Sequence, residues 1–135
     1  MTDYVKALLQ SIGENNGCIK KLLQEKYIKL NAVKSAMDNK ARNKTPLNKS
    51  QVQDIHEFAG LYARERSNLQ TSLMGIENTI RFNIEKHSAL HIENTEAVLI
   101  ALATLHLHQN KAIHSLRRMI ASSEKTLELL QGAAA

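Results

Sequence analysis

The sequence is poor in the residues that make turns, disulfides and aromatic cores. Its 135 residues include one proline, five glycines and one cysteine. An all-β chain needs turn residues every ten or so positions, so this composition argues against one. Cys18 stands alone and cannot form an intrachain disulfide, which excludes a disulfide scaffold. Because tryptophan is absent and aromatic residues make up only 4%, the core must be aliphatic.

Signals for membrane insertion or export are also missing. The most apolar uncharged stretch, 97–110, falls short of the ~20 residues that a membrane-spanning helix needs. The first residues lack the basic start of a signal peptide. We therefore expect a cytoplasmic protein with a single domain over 1–132, and we treat 133–135 as a vector-derived tail.

Apolar residues recur at alternating steps of three and four along three segments, which is the heptad repeat of packed helices. In the second segment this row is Val52, Ile55, Ala59, Tyr62, Arg66, Leu69, Leu73, Ile76 and Ile80. The pattern predicts an all-α fold: an elongated antiparallel three-helix bundle, or a helical hairpin with coiled-coil-like packing. The expected ranges are about 3–40, 47–86 and 89–130 for the helices and about 38–50 for a basic loop.

Three boundaries depend on local chemistry. Thr45 and Pro46 resemble an N-cap followed by a first-turn proline, with Ser50 as a second candidate cap. The glycines of 13–17 could split the first helix, but the apolar row keeps its phase across them, which favours continuity. A polar cluster in 86–94 favours a break between the second and third segments over one continuous helix.

The charge is unevenly distributed along the chain. Residues 1–50 carry ten basic and four acidic side chains, whereas residues 51–100 carry four and seven. The basic patch around the first loop comprises Lys40, Arg42, Lys44 and Lys49. Such a patch either contacts nucleic-acid phosphates or forms a solvated loop, and the absence of nearby aromatic residues favours the loop.

Histidines and polar residues interrupt the apolar rows. His87 and His91 share a helix face, but the six histidines form no established metal motif, so we expect no metal and no other cofactor. No catalytic motif is present either, and we expect no enzymatic activity. Asn16, Lys26, Arg66, His106 and Gln109 occupy row positions. There they either fix the register of the helices, with His106 and Gln109 forming a polar layer, or mark the entry of a partner.

The third segment has more apolar surface than packing within the chain is expected to cover. A helix of this kind usually binds another copy or an amphipathic helix of a partner. The C-terminal turns, Leu127 to Leu130, extend furthest past any plausible hairpin, and there we expect the exposed part of this surface.

The layout of the chain resembles that of the FlgN-type flagellar export chaperones. The resemblance lies in the Leu- and Lys-rich first helix (7–12 and 22–30), the stretch 58–69, and the Asn-bearing approach (83–94) to the last helix. It implies a small cytoplasmic helical protein that holds flagellar subunits before type III export. It also implies that the C-terminal amphipathic helix captures the terminal helix of the cargo, through the partner-binding residues Leu116, Ile120, Leu127 and Leu130.

Two other functions remain open. One is a structural coiled-coil protein that self-assembles through its apolar rows. The other is a basic nucleic-acid-associated protein, whose binding would weaken steeply with salt.

Overall fold

The computed structural model describes residues 3–89 and 95–132, and within the helices it leaves out the side chains of 82–89 and 95. Its three helices are α1 (Asp3–Asn43), α2 (Lys49–Ala89) and α3 (Thr95–Gly132). At 1.5 Å per residue each is a rod of roughly 60 Å. The described residues contain no strand. The predicted all-α three-helix bundle is therefore confirmed.

Side-chain pairs show how the rods are oriented. Asn15 bonds to Asn110 and Lys29 pairs with Glu124, so α1 and α3 run parallel. Glu65 pairs with Arg118, and Gly75 lies against His108, so α2 and α3 run antiparallel. Two rods that pack side by side in opposite directions cannot be one continuous helix. Part of the predicted break, 90–94, lies outside the described residues.

Helix α3 is the centre of the bundle. It packs along both α1 and α2, whereas no Cα atom of α1 comes within 8 Å of one in α2 in the part of the chain that the structure describes. The core cluster accordingly draws mainly on α3 and closes around Leu116 and Met119. Its buried residues are Ile19, Leu69, Ala112, Ile113, Leu116 and Met119.

Helix α1 runs without interruption through Gly13 and Gly17, as the phase of its apolar row predicted. It ends just after the predicted position, at Asn43, where Lys44 adopts a left-handed conformation with φ of 49°. The Thr45 amide then donates to the Lys40 carbonyl at 3.4 Å. This bond closes a Schellman-type cap around a residue other than the usual glycine.

The start of α2 corrects a prediction. Neither Thr45 nor Ser50 caps the helix, and Pro46 lies outside it. The cap is Asn48, whose Oδ1 accepts from the Gln51 amide at 2.8 Å. The Gln51 side chain returns the bond to the Asn48 amide at 3.0 Å, which completes a reciprocal capping box. The two residues together satisfy two amide donors at the start of the helix.

Candidate partner-binding surface

The structure places the predicted partner-binding residues mostly inside the bundle. Leu116 is fully buried, Ile120 is buried, and Leu130 is only 3% exposed. Leu127 is half-buried. The expected exposed surface at 127–130 is therefore wrong for Leu130, because the ends of α1 and α3 lie side by side there. These residues hold the bundle together and would meet a partner directly only if it opened.

Helix α2 buries the centre of its predicted row at Leu69, but one edge of its buried face differs from the prediction. Its row was expected to include Arg66 and Leu73, but Arg66 is exposed and Leu73 half-buried. Glu65 and Ser72, each 5% exposed, face α3 instead. The Ser72 hydroxyl donates to the Asn68 carbonyl at 3.0 Å, so its burial leaves no donor unpaired.

A carboxamide cluster joins α1 to α3. Gln109 is fully buried, and its Nε2 donates to the Asn16 Oδ1 at 2.7 Å and to the Ile12 carbonyl at 3.2 Å. Both acceptors fix the orientation of the amide, while its Oε1 is buried without a partner. His106, expected beside Gln109 in a polar layer, is half-buried and lies 3.4 Å from the Asn110 amide nitrogen. The polar layer therefore exists, but Asn16 is the partner of Gln109.

A polar cleft of about 600 Å³ separates the outer edges of α2 and α3. On its floor, the Glu65 Oε1 lies 3.4 Å from the Arg118 Nη1. The lining mixes one acid with basic, hydroxyl and amide side chains. Near this interface, burial raises the pKa of Tyr62, and the adjacent Arg66 partly opposes the change.

Close helix contact explains Gly75. A Cβ at this position would lie 2.6 Å from two ring atoms of His108. The half-buried imidazole thus fills the space that the missing side chain leaves between α2 and α3. Sequence reasoning did not assign His108 a role, and the glycine inside a helical pattern was the signal that could have located it.

The basic patch divides into two parts. Arg42, Lys44 and Lys49 are exposed around the first turn, as predicted. Lys40 is half-buried instead, and its Nζ lies against α3 without a hydrogen-bond partner. Only three of the four predicted cations are therefore fully presented at this surface.

Large apolar side chains remain in solvent along the whole bundle. They belong to all three helices, and most lie on α1 and α2. They are Tyr4, Leu9, Tyr27, Ile28, Met37, Val52, Met74, Ile80, Ile100 and Leu107. Among them, Leu9 and Met37 on α1, and Val52 and Ile80 on α2, are separated by multiples of seven residues and so lie on the same edge of their helix.

Metal and membrane sites find no support in this surface. Across 3–89 and 95–132 no cluster of three histidine, cysteine or acidic side chains could hold a metal ion. His91 and the side chain of His87 lie outside the described residues. None of the helices, over the residues placed, has an apolar stretch long enough to cross a bilayer.

No protein-family model, no curated protein and no solved structure matches this chain.

Proposed function

We propose that the chain is a non-catalytic bundle that binds and shields an amphipathic helix of a partner protein in the cytoplasm. The exposed apolar side chains along α1 and α2 support this proposal best. A bundle gains free energy by covering such side chains, about 1.5–3 kcal/mol for each large aliphatic residue that becomes fully buried. Three or four of them suffice for micromolar binding after the costs of association.

The FlgN-like layout suggests the biological form of this activity: a chaperone that holds a flagellar or other type III export substrate. A chaperone of this kind needs no catalytic residue, because it acts by keeping an aggregation-prone helix out of water. The long rods provide a surface that is long enough for a partner helix of several turns.

Affinity capture from the native cell, followed by reconstitution with the purified partner, tests the proposal. We expect a defined complex by light scattering and a gain in helical circular dichroism on mixing. Met37→Asp and Val52→Asp should weaken the complex without unfolding the bundle, because both side chains are exposed.

The alternatives predict different outcomes of the same experiments. A stable dimer of the isolated chain, with no partner recovered, would replace the proposal with structural self-assembly. Recovery of nucleic acid, lost on Arg42→Glu and Lys49→Glu and weakened steeply by salt, would replace it with nucleic-acid binding.

A further inference from the structure

Contacts to α3 determine which edges of α1 and α2 face each other. Asn15 of α1 and Glu65 of α2 both bond to exposed residues on the outer surface of α3, Asn110 and Arg118. Those bonds mark one edge of the buried face of each helix. The opposite edges of α1 and α2 therefore meet on the other side of the bundle.

These opposite edges carry two apolar rows with heptad spacing. We call the surface between them the α1–α2 seam. Its rows, apolar except for one polar residue each near mid-height, are Leu9, Asn16, Leu23, Leu30 and Met37 on α1, and Val52, Ala59, Arg66, Leu73 and Ile80 on α2. Leu23 and Leu73 pack against the core at mid-height, whereas the ends of the rows are open.

The rows are level with each other and unfilled at both ends. The register of the contacts with α3 places Leu9 beside Ile80 and Met37 beside Val52. Their exposed fractions are 42%, 43%, 52% and 52%, respectively. No Cα atom of α1 lies within 8 Å of one in α2 over the described residues, and these four side chains remain about half exposed, so both ends of the seam are open.

The rims of the seam are basic. On α1 the rim positions, seven residues apart, include three lysines, and α2 adds one cation on its rim, Lys49, and one within its row, Arg66. These five residues are Lys6, Lys20, Lys34, Lys49 and Arg66, all of them exposed. In the part of the chain that the structure describes, none of the five forms an ion pair. The one acid on the rim, Glu77, is held by Arg81 at 2.6 Å.

The positive charge along the seam distinguishes between two possible partners, a second copy of this chain and an acidic helix. A second copy of this chain would bring its own cations against these cations, and that repulsion opposes a symmetric dimer. An acidic helix would place carboxylates beside them and apolar residues along the rows. We propose that the α1–α2 seam binds an acidic amphipathic helix of about 28 residues, which completes a four-helix bundle.

Gly13 gives a way to probe this placement. It lies between Lys6 and Lys20 on the rim, and a Cβ there would meet no side chain and no neighbouring helix within 4 Å. A larger side chain at this position would therefore enter the open space where the docked helix is expected, without displacing anything in the bundle.

The inference rests on the proposed function, and two synthetic peptides test it separately. The first is a fluorescein-labelled 28-residue helix with leucine at its heptad seam positions and glutamate beside them. The second has the same leucines with lysine in place of glutamate. Fluorescence anisotropy at nanomolar peptide should show the intact chain binding the acidic peptide at least tenfold more tightly, with the difference shrinking as salt rises.

Matched variants then locate the site. The double variant Lys20→Glu with Arg66→Glu should weaken binding of the acidic peptide about tenfold. Its control, Lys21→Glu with Arg64→Glu, changes the net charge of the chain by the same amount. Because Lys21 and Arg64 lie on the outer faces of α1 and α2, the control should change binding little. Gly13→Leu should block the seam without harming the fold. Its control, Gly17→Leu, adds the same side chain to open space on the outer face of α1.

Each outcome has a distinct meaning. Equal affinity for both peptides, or equal effects of the seam variants and their controls, would overturn the seam as the binding site. A partner captured from cells would then still support the proposed function. A dimer of the isolated chain that is lost on Val52→Asp with Ile80→Asp would identify a second copy as the occupant. Failure to recover any partner from cells, together with tight seam-dependent peptide binding, would leave the site standing and overturn the chaperone role.

Discussion

Two rows of side chains lie on either side of the buried Leu69 on helix α2. The more polar row is the more buried of the two. The row with Glu65 and Ser72 is polar and lies buried against α3, while the row with Val52 and Ile80 is apolar and open at its ends. Position relative to α3, and not side-chain chemistry alone, therefore decides which residues are covered. The open row shows where the bundle still lacks a neighbour.

The closed interface tolerates polar residues because they are small or paired. Ser122 and Ser123 of α3, like Ser72, donate to carbonyls one turn earlier in their own helix. Glu65 has Arg118 at its edge. A hydroxyl bonded in this way does not leave its donor without an acceptor when it is buried. Its small volume also lets two helices approach closely.

The strongest test of the contrast compares a residue in the core with one on the seam. Leu116→Ala should lower the free energy of unfolding by about 2–5 kcal/mol, since it leaves a cavity in a fully packed site. Val52→Ala should change it by less than about 0.5 kcal/mol. Urea unfolding followed by circular dichroism measures both, and equal losses would show that the seam is closed after all.

The carboxamide cluster should have the next largest effect. Gln109→Ala removes a fully buried side chain and its bonds to α1, so we expect a loss of about 1–3 kcal/mol. Combined with Asn16→Ala, the two losses should be non-additive by about 0.5–1.5 kcal/mol. Asn15→Ala, which breaks a more exposed amide pair, is the control and should cost less. Strict additivity for Gln109 and Asn16 would contradict the coupling.

Alanine substitutions at two glycines distinguish the close α2–α3 interface from the open rim of the seam. Gly13→Ala should stabilise the chain by about 0.5–1 kcal/mol, because helix propensity rises and nothing obstructs the methyl group. Gly75→Ala gains the same propensity but pushes against His108, and overpacking of this kind costs about 1–3 kcal/mol, so we expect a net loss. Thermal unfolding measures both effects.

The control for this pair is the double variant Gly75→Ala with His108→Ala. Removing the imidazole frees the space, so the alanine at 75 should then be stabilising relative to His108→Ala alone. Persistence of the loss in that background would show that the imidazole is not the obstacle.

The smallest effect concerns Tyr62 at the closed interface. Burial raises its pKa above the ordinary 10.0, and Arg66 only partly lowers it again. A raised pKa means that the neutral phenol is favoured in the folded chain. The associated stability is present below pH 10 and is lost as the pH rises through the folded pKa. Ultraviolet titration should show a late phenolate absorbance that Tyr62→Phe removes, and an unchanged curve would contradict this.

Much of the fold follows from local patterns. The heptad rows predicted three helices, and the unbroken phase across Gly13 and Gly17 predicted a continuous α1. The candidate surface was less accessible to sequence reasoning. Leu130 was expected in solvent because it lies near the end of a strongly apolar helix, but that end packs beside the C-terminal turns of α1.

The sequence alone determined that the chain forms amphipathic helical rods, because the period of apolar residues is a local property that each helix carries by itself. Only the tertiary structure decided that α3 is the central rod, that Glu65 and Ser72 face it, and that Val52 and Ile80 remain open. The buried Leu69 of α2 lies between a polar edge with Glu65 and Ser72 and an apolar edge with Val52 and Ile80, and the pattern of apolar residues favoured the second. Which edge turned inward depends on how closely the side chains of two helices fit together.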